Sequence, residues 1–513
     1  WISQGISITR YRKVMKSPSQ SIPQIAIQAT VLATLVSFAY LLKKKIQKHN
    51  ENKSHSSSTD TNRTISIRGV AALSPPLSYL NNFFKCLEDP YDSQENQRGY
   101  IALCVAENKL VIDLLGERLM QHGTAITAFS DSSVYSYGSF LGLPVAREAI
   151  AYFLAKNFLA SHDAVMTPEE ALESISPNHI AIGAGAASLI NHLFYILGDK
   201  GDCCLIPAPY YAAFESDMKI VAGCVPFAIQ LANPARGPTT QELDLAFIEA
   251  QSKGMRVRFI LLTNPNNPLG VIYSSDVIRN VIAWARKRQL HTIMDEIYAL
   301  SIHNKSCKSF QSVINVLNNK LGNDVHHIWA LSKDFGASGF RVGTLYTQNV
   351  QLLNALANLN IFSGVSHPMQ IITAELLTDD KFVDHFLDAA RERLRYSFLI
   401  CAKKLDEMVL PYVHAEAGLF VYVDFSALLP TKDFEGEAKL NELITNYAHI
   451  VLTPGESQRD CRPGYFRICY AWVPPQVLGV AMERLSKLVA KIRKIGLTNL
   501  NETSLESVLS VQT

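Results

Sequence analysis

Lys333 and Arg341 stand eight residues apart in the run Ala330-Leu331-Ser332-Lys333-Asp334-Phe335-Gly336-Ala337-Ser338-Gly339-Phe340-Arg341-Val342-Gly343. The apolar segment His327 to Leu331 reads as a strand, so the lysine falls at a strand end. An amine in a partly desolvated pocket beside another cation sheds its proton more readily, as it must to form a Schiff base. The arginine stays charged and forks onto phosphate, while the glycines let backbone approach a bulky ligand. The run alone fits a surface loop equally well, so its surroundings must decide.

Those surroundings repeat one pattern. Ile180-Ala181-Ile182 precedes Gly183-Ala184-Gly185-Ala186-Ala187-Ser188, and Cys203 to Ile206 precedes Pro207-Ala208-Pro209-Tyr210-Tyr211. Phe259 to Leu262 precedes Thr263-Asn264-Pro265-Asn266-Asn267-Pro268, and Thr292-Ile293-Met294 leads to Asp295-Glu296-Ile297-Tyr298. Short apolar runs alternating with helical ones predict a mainly parallel sheet, and polar residues just beyond its strands predict one shared crevice. The N–H groups of Ala186 and Ala187 open a predicted helix, where anions are favoured. Arg467 sits inside the apolar run Tyr465 to Ala471, and its burial would be costly without an anion.

With Lys333, Asp295, Arg341 and Arg467 at these places, the chain from about Gly99 to about Arg493 resembles class I aminotransferases that use pyridoxal 5'-phosphate. It is most similar to 1-aminocyclopropane-1-carboxylate (ACC) synthases and their synthase-like relatives. The resemblance implies that Lys333 holds the cofactor and moves the substrate proton, and that Asp295 pairs with the ring nitrogen. It further implies that Asn267 and Tyr298 bond the ring oxygen, that Tyr211 stacks on the ring with Tyr210 as the alternative, and that Ala186, Ala187 and Arg341 hold the phosphate. By the same resemblance Arg467 takes the substrate carboxylate, and Glu107, in Ala106-Glu107-Asn108, recognises cationic S-adenosylmethionine. The chain departs from the plant synthases at Ala330, where they carry serine, and at Phe140, where they carry a tyrosine given to the neighbouring subunit. Ser188, Ser332 and Tyr137 are candidates to replace those hydroxyls.

The implied fold is type I of the cofactor-dependent transferases: a seven-stranded, mainly parallel sheet between helices, plus a smaller α+β domain. Expected boundaries are a basic, hydrophobic and polar-linker segment over 1–64 and the start of the small domain over 65–120. The large cofactor domain follows over 121–348, the rest of the small domain over 349–495, and a polar, frayed tail over 496–513. The expected protein is a homodimer converting S-adenosylmethionine to ACC and methylthioadenosine. Alternatives are an aminotransferase or β-eliminating lyase on the same scaffold, and a membrane-tethered binding protein without turnover.

Composition excludes other classes. The net charge of +2 over 513 residues gives no field for nucleic acid. Nine cysteines without a CxxC pair suggest neither zinc nor a disulfide framework, and no metal is expected. The chain opens on Trp1, and an initiator segment is expected before it. The first fifty residues contain no acid, and residues 25–42 form an apolar span closed by Lys43-Lys44-Lys45. A bilayer span needs roughly 17–25 apolar residues, so a membrane anchor with a cytoplasmic catalytic part is expected, with mitochondrial targeting as the alternative. Elsewhere the spacing predicts helices over Leu110 to Gln121, with Ile112, Leu115, Leu119 and Met120 on one side, and over Val145 to Leu159. A further helix is predicted with Ser275 as its cap.

Overall fold

A turn at Tyr79 leads into helix α1 (Leu80–Glu88), and strand β1 (Ile101–Ala102) then pairs in parallel with a late strand at Ile450–Val451. The computed structural model describes residues 79–496 except 122, 160–167 and 305–309, together with Val70, Leu73, Leu77, Val508 and Leu509. The expected apolar span 25–42, the polar linker and most of the tail lie outside those residues. Among the described residues no helix is long and apolar enough to cross a membrane. Val508 and Leu509 are buried, so that part of the tail packs where fraying was expected.

Helix α2 (Ile112–Gln121) lacks the wide apolar face its spacing predicts: Leu115 is buried, but Ile112 is 46% and Met120 76% exposed. Polar contacts hold it instead, through Arg118 to Asp379 and Arg393 to Asp113. Helix α3 (Pro144–Leu154) starts on proline, where a missing N–H does no harm, and buries Ala146, Ile150, Phe153 and Leu154. The expected helix to Leu159 changes geometry at Ala155, where a π-type turn, Ala155–Leu159, takes over.

The large sheet begins with β2 (Ile180–Ala184), followed by α4 (Ala186–Leu197), β3 (Cys203–Ala208), α5 (Phe214–Lys219), β4 (Val225–Gln230), α6 (Thr240–Ser252) and β5 (Val257–Thr263). It continues through α7 (Ser275–Lys287), β6 (His291–Asp295), β7 (Val325–Ala330) and β8 (Val342–Thr347). The strand order is β2-β8-β7-β6-β5-β3-β4. β8 runs antiparallel to both neighbours, and every other pairing is parallel. Strands such as Phe259-Ile260-Leu261-Leu262 are near-continuous apolar runs because helices cover both faces. The cap of α7 is Ser274, not Ser275: its hydroxyl oxygen accepts from the Val277 N–H at 3.3 Å. Its extended backbone and three-residue offset meet the cap geometry, and Ser275 is already helical.

Beyond the sheet come α8 (Val350–Leu359), α9 (His367–Thr378) and the 28-residue α10 (Asp380–Glu407). A smaller antiparallel sheet is built from β9 (Tyr412–Val413), β10 (Phe420–Asp424), β12 (Thr453–Pro454) and β13 (Tyr465–Cys469), in the order β12-β13-β10-β9. α11 (Phe434–Tyr447) and β11 (Ile450–Val451) precede β12, and α12 (Pro475–Ile495) packs back on α10. Leu394 and Phe398 of α10, Met482 and Leu485 of α12, and Val421 and Phe466 of the sheet share one core.

Candidate active site

The topology brings the chemistry-bearing residues to one edge. β2, β3, β5, β6 and β7 are mutually parallel, so Ala186, Tyr211, Asn267, Asp295 and Lys333 all follow strand ends on the same side. Because β8 is antiparallel, its start lies there too, and Arg341 immediately precedes it.

Lys333 rides on one helical turn, Leu331–Asp334. Asp334 pins that turn, accepting from the Ser301 hydroxyl at 2.6 Å, the Trp329 indole at 2.8 Å and the Leu300 N–H at 3.2 Å. Gly336 follows at φ +62°, and a Cβ there would lie 2.5 Å from the Asn108 carbonyl oxygen, so the Glu107 loop closes against the lysine turn. The Lys333 ammonium donates to the Ala106 carbonyl at 2.7 Å. Burial lowers its pKa, and the Glu107 carboxylate partly opposes that shift.

Asp295 is buried at the end of β6, and among the described residues its carboxylate accepts only long hydrogen bonds, from the Ile297 N–H at 3.3 Å and the Thr263 hydroxyl at 3.4 Å. Burial raises its pKa to about 7. Such a carboxylate is short of a cation, which a protonated ring nitrogen supplies. Asn267 donates to the Tyr298 hydroxyl at 3.4 Å and accepts from Arg467 at 2.9 Å. Tyr211 packs edge-on to Phe214, with centroids 5.3 Å apart, and lies within electrostatic reach of Arg467 and Asp295. Tyr210 turns away, donating to Glu215 at 3.1 Å.

Arg467 is 2% exposed in β13. It donates to the Cys104 carbonyl at 2.7 Å and the Thr453 hydroxyl at 3.2 Å, while its buried Nε has no partner. At the other end of the crevice, Arg341 takes a left-handed backbone at φ 56° and donates to the Ala184 and Ser338 carbonyls at 3.1 and 3.0 Å. A Cβ on Gly185 would lie 2.6 Å from its guanidinium, so only glycine lets the arginine meet the N-terminus of α4. Ser188 donates to the Gly185 carbonyl at 3.0 Å, and buried Ser332 gives its carbonyl to the Ser338 hydroxyl at 2.9 Å. Tyr137 and Phe140 stand at the surface, 94% and 37% exposed.

The site also contains residues the sequence reading missed. Tyr79, 388 positions away in sequence, lies within electrostatic reach of the Arg467 guanidinium, and nothing local marks a tyrosine before a helix for that place. Thr263, by contrast, ends β5, and the strand-end rule could have named it. Asp217 of α5, half-buried and with its pKa raised to about 7, lies within reach of Asp295.

The donor set fits pyridoxal 5'-phosphate: a carboxylate lacking its cation, a depressed amine, and an arginine beside free helix N–H groups, linked by one crevice. The family described as Aminotransferase class I and II matches residues 101–485. The 1-aminocyclopropane-1-carboxylate synthase of Nicotiana tabacum is 30% identical over 420 residues, covering 80% of this chain and 82% of its own. That of Malus domestica is 30% identical over 429 residues, covering 81% and 88%. Among solved structures, a Thermus thermophilus aspartate aminotransferase double mutant aligns with a TM-score of 0.67 at 21% identity, covering 83% of this chain and all of its own. An aromatic aminotransferase from Pyrococcus horikoshii gives 0.62 at 22% identity, covering 77% and 96%. Those structures share the fold. With the family matched across most of its length and the candidate cofactor residues gathered in one crevice, the chain belongs to the class I and II aminotransferases, in their ACC synthase-like branch.

Proposed function

We propose that this enzyme converts S-adenosylmethionine to ACC and methylthioadenosine. The observation that carries the reading is the Glu107 carboxylate, held beside Lys333 by the Ala106 contact, where a cationic substrate group would be received. Arg467 forks onto the substrate carboxylate through a guanidinium already aimed by Asn267, Cys104 and Thr453. Bound pyridoxal 5'-phosphate supplies an electron sink for negative charge at the substrate Cα. Lys333 would hold its aldehyde carbon, Asp295 its ring nitrogen, Asn267 and Tyr298 its ring oxygen, Tyr211 one face of the ring, and Arg341 with Ala186 and Ala187 its phosphate.

Burial of Lys333 raises the share of free amine, so Nζ accepts the Cα proton. The Cα electron pair closes on Cγ while the Cγ–S bond breaks, its electrons neutralising the sulfonium as methylthioadenosine leaves. Positioning carries most of the catalysis, because the sulfonium is already a good leaving group.

The working unit in this reading is a homodimer. Tyr137, Phe140, Ile361 and Phe362 are exposed, and Asn360 ties the two segments together by donating to the Phe140 and Ile182 carbonyls at 2.5 and 2.7 Å. The apolar surface therefore adjoins the β2 end that carries the phosphate cradle, and a second copy would cover it.

The test uses the full chain loaded with cofactor. S-adenosylmethionine should yield ACC and methylthioadenosine in equal amounts. Bound cofactor with neither product, but with 2-oxo acid from an amino acid, would replace this reading by transamination. Pyruvate with ammonia would indicate β-elimination.

A further inference from the structure

Lys109 lies two residues beyond Glu107, and its backbone N–H donates to the Ala471 carbonyl at 2.9 Å, which fixes it beside the end of β13. Its ammonium sits 3.3 Å from the centroid of the Trp472 ring. Phe83 of α1 braces that ring edge-on, with centroids 6.1 Å apart. Lys109 feels the Glu107 charge, yet among the described residues no hydrogen bond or ion pair engages the Glu107 carboxylate. An ammonium over a part-buried indole face holds better than a solvent-screened ion pair, so the ring outcompetes the nearby carboxylate.

We propose that Trp472 is a specificity-determining positioning residue: by keeping Lys109 on its ring, it leaves Glu107 unneutralised for the cationic group of the substrate. The inference rests on the reading that Glu107 receives that cation. Were Lys109 released, its ammonium would occupy the carboxylate and compete with a sulfonium, while a neutral ligand of the same shape would lose nothing.

The experiment measures affinities on the full chain with cofactor bound, from the change in cofactor absorbance in the first moments after rapid mixing, before turnover. The probes are S-adenosylmethionine and S-adenosylhomocysteine, which differ by one methyl group and the positive charge. Wild-type protein should prefer the sulfonium. Trp472→Leu should lower that preference by about five- to tenfold, leaving the thioether affinity in place. Adding Lys109→Gln to Trp472→Leu should restore the preference, and Trp472→Phe, which keeps a ring face, should retain most of it. A Trp472→Leu protein that weakens for both probes equally, or that Lys109→Gln does not rescue, would overturn the inference alone and reduce Trp472 to packing. Equal binding of both probes by the wild type would overturn it together with the Glu107 reading.

Discussion

The Lys333 ammonium and the Ala106 carbonyl are joined across 2.7 Å, and that bond sets the nucleophile directly against the residue preceding Glu107. One amine thus meets both the crevice and the loop proposed to select substrate. Its loss should be total: Lys333→Ala is expected to abolish both the visible absorbance of bound cofactor and all turnover. Glu107→Gln should keep the absorbance and weaken S-adenosylmethionine use. Parallel loss of both signals in the Glu107 variant would remove its assigned role.

Arg467 presents a prediction of size. Arg467→Ala removes a buried, hydrogen-bonded charge that in the proposed reading receives the substrate carboxylate, worth about 2–5 kcal/mol, so KM should rise by at least about thirtyfold. Arg467→Lys should recover little, since a point charge cannot replace a fork aimed by Asn267 and Thr453. Steady-state kinetics on both variants would check it, and full activity in the lysine variant would contradict the fork.

Asp295 gives a pH dependence whose sign is fixed. Its carboxyl is raised from 3.8 to about 7 by burial, so the folded cofactor-free protein binds a proton that the unfolded chain has lost. The associated stability is present below about 4 and disappears as pH climbs through about 7. Thermal melts of cofactor-free protein should therefore show Asp295→Asn gaining on wild type at pH 8 and not at pH 4. With cofactor the order of function reverses: the asparagine cannot hold a ring proton, and turnover should fall by about a hundredfold or more.

Phe362, 86% exposed, is central to the proposed dimer surface. Phe362→Asp should shift the protein toward monomer in sedimentation and lower its affinity for cofactor, because the covered face adjoins the phosphate cradle. A monomeric wild type would refute the surface assignment.

That Lys333, Asp295 and Arg341 share one edge was legible in the sequence because each ends, follows or precedes a strand, and parallel strands deliver such positions to one side without further information. The places of Ser332 and Ala186 were legible for the same reason, their roles toward a cofactor being part of the proposal. The exposed Met120 was not, because a 3.6-residue period says where a stripe lies but not what covers it. Tyr79 and Trp472 escaped because their neighbours Arg467 and Lys109 lie hundreds of positions away in sequence and meet them only in the folded chain. The cap of α7 was misplaced by one residue, since two adjacent serines differ only in backbone angle.

The reversed direction of β8 has a last consequence. A parallel strand after Lys333 would have demanded a long return across the sheet before Arg341 could reach the same edge. The hairpin-like turnback instead sets the two eight residues apart within the short connection 331–341, anchored by Ala330 facing Gly343 at its base. The two candidate grips are thus parts of a single short clasp, set at its base by the strand pairing and tied through the Ala106 contact to the segment that also bonds the smaller sheet.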